Sequence, residues 1–288
     1  MRCEITEGDC EQYLKKTSEN FDLSFLDPPF NQGKEYENYE DTIDPVAYWD
    51  WMTRICKLIY DRTSEGGAIY FMQREKNTKY VLDTLEKSGW TFQNLIIWKK
   101  KASAVPGNSR YGKHYQIIAF FTKGEHPRVF NKLRINPPLL VTEKYQRPTG
   151  MFVTDLWDDI RELTSGYFAG DEPLRLKNGE RAHKQQSPIR LLLRIILSST
   201  KVGDFVFDPF AGTGTTLIVA KQLKRNSIGV ELSQKNVALI NKRLSKLRES
   251  DDILPLRADY KFTKDLEKIW PVPEISYLPT YLKTSGKE

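Results

Sequence analysis

The apolar run at residues 205–207 breaks into Asp208-Pro209-Phe210-Ala211-Gly212-Thr213-Gly214-Thr215-Thr216 and then into a helical spacing. A strand that turns through small residues straight into a helix is the joint of a βα crossover, and only α/β folds house one. Small residues let the backbone close on a ligand, and the helix directs its free N–H groups at whatever lies above the turn. Neither phosphate signature is complete: no Lys precedes the Ser/Thr at P-loop spacing, and G-x-G-x-x-G lacks its last glycine. A carboxylate-bearing cofactor of smaller negative charge fits such a turn better than a nucleoside triphosphate. The next strand pattern ends Gly229-Val230-Glu231, which puts a carboxylate at a strand's carboxyl edge, where a ribose diol is commonly held. The alternative is that Glu231 caps the helix that follows.

The same alternation runs through most of the chain. Short β-branched or aromatic runs predict strands at residues 21–26, 68–72, 95–98, 116–121, 205–207 and 227–230. Helical spacing covers residues 46–60, 188–197, 215–223 and, behind a Ser233 cap, 235–247. Alternating elements of this kind predict an α/β fold with a doubly wound, mostly parallel sheet. The rhythm stops between Thr122 and Gln186, where prolines and glycines cluster, and this stretch reads as a small irregular lobe. The expected division is therefore 1–121 and 187–250 as two halves of one domain, 122–186 as an insertion, and 251–288 as an extension wrapping the surface. Hydrophobic residues make up 39% of the 288, enough for a sizeable core. No apolar run approaches the ~18 residues of a membrane span, and Met1-Arg2-Cys3-Glu4 begins no signal peptide. Three cysteines without a C-x-x-C pair point away from a disulfide framework or zinc site and toward a reducing cytoplasm. His114, His126 and His183 are isolated, so no metal is expected.

Asp27-Pro28-Pro29-Phe30 follows directly on the strand pattern at 21–26. Two prolines fix the backbone and remove two donors, leaving carbonyls free to accept. A carboxylate beside a rigid carbonyl is a pair of acceptors suited to one exocyclic amino group, and Phe30 offers a face to a planar base. The plainer reading is a loop with a helix-capping Asp.

Charge is uneven. The formal net charge is +6, yet residues 99–147 hold eleven Lys/Arg against Glu125 and Glu143. A basic segment in an otherwise slightly acidic chain suits a polyanion bound along one face, the alternative being a solvated surface. Lys99, Lys100, Lys101, Arg110 and Lys113 are the candidate phosphate contacts; Arg128, Arg134 and Arg147 are candidates for reading base edges.

Together the two turns resemble those of the DNA amino-methyltransferases, which transfer a methyl from S-adenosylmethionine to adenine N6 or cytosine N4. Asp208 through Thr216 resembles their cofactor loop, and Asp27-Pro28-Pro29-Phe30 their catalytic tetrapeptide. Glu7-Gly8-Asp9-Cys10 is similar to their N-terminal lead-in, and Gly66-Gly67-Ala68-Ile69-Tyr70 to the strand beyond the catalytic loop. Residues 110–123 resemble a segment near the target base, and Asp155-Leu156-Trp157-Asp158 the acidic stretch after the recognition region. Residues 183–188 resemble the helix start at the cofactor's methionine end, although His183 is followed by Lys184 rather than the usual Pro. The resemblance implies a Rossmann-like methyltransferase fold with a target-recognition lobe and S-adenosylmethionine as cofactor. It implies cofactor contacts from Asp9, Cys10, Asp208, Phe210, Ala211, Gly212, Thr213, Gly214, Thr215 and Glu231, and catalysis by Asp27, Pro28, Pro29 and Phe30. It also implies double-stranded DNA as partner and leaves room for a cognate restriction endonuclease or a second copy of the chain.

The order of the motifs narrows this further. Asp27 precedes Asp208 by 181 residues, a permutation that resembles the beta-ordered DNA enzymes. Ribosomal RNA guanine methyltransferases share the tetrapeptide but resemble the opposite order, and release-factor glutamine methyltransferases resemble an Asn-first tetrapeptide. An Asp-first tetrapeptide is more similar to that of adenine enzymes, a Ser-first one to that of cytosine enzymes. An RNA methyltransferase and a non-catalytic DNA-binding relative remain the alternatives.

Overall fold

In the computed structural model, which describes residues 1–31, 35–36, 39–40, 43–101, 104–136, 148–163, 170–175, 179–181 and 186–272, eight strands form one sheet. β1 (Cys3–Glu7) leads through α1 (Cys10–Lys16) to β2 (Phe21–Leu26). A hairpin of β3 (Glu35–Tyr36) and β4 (Tyr39–Glu40) precedes α2 (Pro45–Asp61), β5 (Thr63–Arg74) and α3 (Thr78–Lys87). Then come β6 (Thr91–Lys99), β7 (Tyr115–Thr122), the pair β8 (Arg134–Ile135) and β9 (Met151–Phe152), and short β10 (Leu156–Trp157). The chain continues through α4 (Ile189–Ser199), β11 (Phe205–Asp208), α5 (Thr215–Gln222), β12 (Asn226–Glu231), α6 (Gln234–Ser245) and α7 (Leu266–Ile269).

The main sheet runs β1-β12-β11-β2-β5-β7-β6-β10. Only β7 opposes its neighbours, so the sheet is mostly parallel, as the alternating pattern predicts. Side chains alternate across it. Leu23, Phe25, Tyr70 and Phe120 face α4 and α5, whereas Phe21, Ile69, Phe71 and Phe121 face α1, α2 and α3. The helices begin where their caps dictate. Asp44 accepts from the Val46 and Ala47 N–H groups at 3.0 and 3.1 Å, and Pro45 fits the first turn of α2 without a lost bond. Ser233 caps α6 through the Asn236 N–H at 3.4 Å. α4 is buried on every side except at Arg190, as a helix apolar all round must be.

Two expectations about domain layout change. The described part of 122–186 is built into the main body. Leu133, Trp157 and Ile160 lie in the core beneath α4, and β10 extends the sheet beside β6. Residues 137–147, 164–169, 176–178 and 182–185 lie outside the described residues. The extension also does more than wrap, because Ile253, Tyr260, Leu266 and Trp270 complete the same core. Arg225, fully buried, ties it down by donating to the Ile269 and Leu223 carbonyls and to Thr200. Among the described residues no helix is long and apolar enough to cross a membrane.

Candidate active site at the carboxyl edge of the sheet

Parallel pairing decides which turns meet. β11 lies beside β2 with Val206 opposite Leu23 and Phe207 opposite Ser24, so the turns after Asp208 and Leu26 leave the same edge side by side. β12 flanks β11, and β1 flanks β12 with Glu7 opposite Glu231. Strand order thus gathers Asp27, Asp208, Glu231 and Asp9 at one edge.

Asp208 closes the glycine turn from within. Its carboxylate accepts from the Phe210 N–H at 3.1 Å and the Thr216 hydroxyl at 2.5 Å. Burial pushes this carboxyl up to about 7; the Thr216 and Phe210 hydrogen bonds oppose the shift, and the Glu231 charge adds to it. Gly212 and Gly214 sit at φ 53° and 76°, in the left-handed region. A Cβ on Gly214 would come within 2.8 Å of Ile240. Arg243, buried in α6, donates to the Thr213 carbonyl and so anchors the turn from behind.

Protein donors meet Glu231 on both oxygens, as the capping alternative expects on the α6 side. One oxygen accepts from the Gly212 N–H at 2.8 Å; the other accepts from the Ser233 N–H at 2.9 Å and the Asn236 amide at 3.3 Å. It therefore joins the glycine turn to the start of α6. Three donors occupy a group with about four lone-pair sites, and the Asn236 bond is the longest of them.

Asp9 caps α1 through the Gln12 N–H at 2.9 Å, and the Gly8 N–H donates to the Glu231 carbonyl at 2.9 Å. Cys10, expected among the cofactor contacts, is instead 4% exposed, and its thiol packs into the core. Burial pushes that thiol far above its ordinary range. A groove of about 550 Å³ beside α1 is lined in part by Glu7, Asp9, Gln12 and Lys16 and takes in neither Asp27 nor Asp208.

Asp27-Pro28-Pro29-Phe30 is braced from α2 and β5. The Tyr48 hydroxyl donates to the Pro29 carbonyl at 2.8 Å and accepts from buried Gln73 at 3.3 Å. Asn31, at φ 52°, donates to the Ile43 carbonyl at 2.7 Å. Phe30, expected as an open stacking face, is only 4% exposed. Asp27 Oδ2 accepts from the Ser187 hydroxyl at 2.9 Å, a bond across 160 residues that the sequence reading missed. The only sequence signal was a polar residue before the proline that opens α4.

The candidate DNA contacts divide. Lys99 ends β6, and Lys100, Lys101, Arg110 and Lys113 lie between it and β7, at the same edge as Asp27. The connection folds back on itself through Lys100 N–H to His114 O, Ala104 N–H to Lys113 O and Gly107 N–H to Arg110 O, and exposes Tyr111. Lys113 pairs with Glu75 at 3.3 Å, and the Lys101 N–H donates to buried Glu162. Arg128 does not join them. It pairs with Asp22 at 3.0 Å and Asp204 at 2.6 Å, where β2 and β11 begin, so it belongs to the opposite edge. That position corrects its expected base-reading role. Arg134 donates to the Thr149 carbonyl and stacks 4.1 Å over Phe152 within the β8–β9 pair. Arg147 lies outside the described residues.

A family model described as DNA methylase matches residues 21–242. The type II methyltransferase M.BamHI of Bacillus amyloliquefaciens is 30% identical over 262 residues, 86% of this chain, which spans 58% of that relative's length. M.HinfI of Haemophilus influenzae is 30% identical over 88% of this chain and 71% of its own. The DNA adenine methyltransferase YhdJ of Escherichia coli K12 is 28% identical over 83% and 82%. Among solved structures, the cytosine-N4-specific PvuII DNA methyltransferase superposes with a TM-score of 0.63 at 20% identity, covering 89% of this chain and 90% of that one. The M1.HpyAVI–SAM complex does so at 0.57 and 24%, covering 84% and 99%.

Proposed function

The chain belongs to the DNA methylase family, and from that premise we propose that it methylates adenine N6 in duplex DNA at a specific sequence. One observation carries the reading: the Asp27 turn, the Asp208 turn and Glu231 stand at the ends of neighbouring parallel strands on one sheet edge. S-adenosylmethionine is the methyl donor of this family, and its sulfonium supplies an activated methyl. The residues present suit it. The left-handed glycine turn admits close backbone approach, and Glu231 has acceptor capacity left for a ribose hydroxyl, with the long Asn236 bond the first to give way.

An aromatic amine is a poor nucleophile because its lone pair is delocalised into the ring. Asp27 and the Pro28 carbonyl each accept one amino hydrogen, which draws the nitrogen toward tetrahedral geometry and directs its lone pair at the methyl. The rest of the chemistry is positioning. Duplex pairing hides the amino group, so the base is flipped toward the Asp27 turn before reaction. Stacking on Phe30 then requires that ring to be uncovered, since it is buried here. The basic connection from Lys99 to Lys113 holds the backbone of the same duplex. The Asp-first tetrapeptide and the likeness to YhdJ favour adenine. The likeness to type II methyltransferases favours a cognate restriction endonuclease as functional partner, in the cytoplasm where the DNA lies. No step needs a second copy of the chain.

The test is single-molecule sequencing of DNA from cells expressing the chain or its Asp27→Ala variant. Methylated adenine at one recurrent sequence, absent with the variant, is the expected result. Methylated cytosine overturns the choice of base. Unmodified DNA, with purified protein labelling RNA instead, overturns the substrate.

A further inference from the structure

We infer that Ser187 is a positioning residue of methyl transfer: its hydroxyl holds Oδ2 of Asp27 and thereby fixes the direction in which the carboxylate meets the target amino group. The inference rests on the functional reading above and deepens it. A carboxylate on a strand-end turn has two side-chain torsions to settle before it can accept a hydrogen in one direction. Ser187 settles them with a 2.9 Å donation to one oxygen. A hydroxyl has a single hydrogen to give, whereas an ionised carboxylate has about four lone-pair sites to receive one. Pinning one oxygen therefore orients the group without exhausting its capacity to accept from the substrate.

Such a donor works only if it is itself held, and Ser187 is held on both sides. Before it, the Gln186 side chain accepts from the Leu174 N–H at 2.9 Å and donates to the Glu172 carbonyl at 3.1 Å. After it, Pro188 restricts Ser187 to extended backbone, and the Ile189 N–H donates to the Glu172 carboxylate at 2.6 Å. Glu172 is in turn fixed by Arg248, which donates to its carbonyl at 2.9 Å and pairs with buried Asp251. Asp251 also binds Arg243, the residue that anchors the Thr213 carbonyl. One continuous polar strap therefore runs from the glycine turn to the catalytic carboxylate. The strap sets the two halves of the site in register.

The test compares purified parent, Ser187→Ala and Ser187→Thr in single-turnover methyl transfer, cofactor calorimetry and thermal melting. Ser187→Ala is expected to lower the transfer rate by about tenfold, the order expected for losing one charge-assisted hydrogen bond. Cofactor affinity and KM for DNA should stay at the parent value, and Ser187→Thr, which keeps the hydroxyl, should recover most of the rate. A merely structural serine would move melting and affinity together and would not be rescued by threonine. Should Ser187→Ala fail to fold, Ser187→Cys keeps the volume with a weaker donor and must show the same selective loss of rate. An unchanged rate in Ser187→Ala, or equal losses in the alanine and threonine variants, overturns the inference while leaving the methyltransferase reading intact. A parent that methylates no DNA overturns both.

Discussion

Asp208 keeps its proton up to about pH 7, against an ordinary value of 3.8, because burial disfavours its charged form. Between those values the folded chain binds a proton that the unfolded chain has released, so this residue makes stability fall as pH rises through the window. Asp208→Asn still accepts from Phe210 and is expected to flatten that dependence. Its Tm should match the parent near pH 4 and exceed it near pH 8; parallel Tm curves would show that the carboxyl ionises freely. Asp27 poses a different question, since the role proposed for it is toward the substrate. Asp27→Ala should abolish methyl transfer and leave cofactor affinity nearly intact, read by tritium transfer and calorimetry. Turnover within about tenfold of the parent would remove it from the reaction. At this scale the sequence spoke clearly about where Asp27, Asp208 and Glu231 stand, because each ends or directly follows an apolar strand run. It was silent about Ser187. A lone serine before a proline carries no sign of the carboxylate 160 residues away that it serves.

The elements were legible in proportion to how much apolar surface they bury. β2, β5, β6, β7, β11 and β12 all contain the runs that predicted them, and α2, α4, α5 and α6 begin within a residue or two of their expected starts. β1, α1, α3 and β10 escaped. β1 is an edge strand whose Glu4 and Glu7 stay exposed, α3 buries only Val81, Thr84 and Leu85, and β10 exists through its pairing with Ile97 and Trp98. Prolines between 122 and 186 marked irregular backbone correctly, but irregular backbone can still be core, as Leu133 and Ile160 show. The same holds for the segment after α6, whose Asp251 is fully buried between two guanidiniums. Although burial alone would raise it, Arg248 and Arg243 hold the Asp251 carboxyl below its ordinary range. Asp251→Asn leaves two cations sharing one neutral side chain, a loss of about 3–5 kcal/mol. Urea melts should show it, together with weaker cofactor binding as the Thr213 turn loosens. A loss under about 1 kcal/mol would mean that the pairs are replaceable by water.

Across the whole molecule, the edge of the sheet sorts the charges that the sequence only counted. Lys99, Lys100 and Lys101 stand at the edge that carries Asp27 and Arg128 at the other. Replacing the three lysines with alanine should weaken binding to cognate and scrambled duplexes alike and make the salt dependence shallower, by roughly 0.9 in log–log slope for each phosphate no longer neutralised. Arg128→Ala should leave that slope untouched and lower thermal stability instead. Anisotropy titrations at several salt concentrations separate the two, and an unchanged slope in the lysine variant would reassign those residues to solvated surface. The strand order has a further consequence, for the chain as it is made. β1 and β2 emerge first, yet β12 and β11 lie between them in the finished sheet. At ~5–20 residues per second of synthesis, the gap between β2 and β11 leaves two sheet edges waiting on the order of 10–40 s. The last strands of this sheet to be made must wedge between the first two, and they bring the Asp208 turn with them. A nascent chain therefore carries Asp27 long before the Asp208 turn proposed to hold the methyl donor, and a message truncated before residue 205 yields open edges prone to aggregate rather than a slower enzyme.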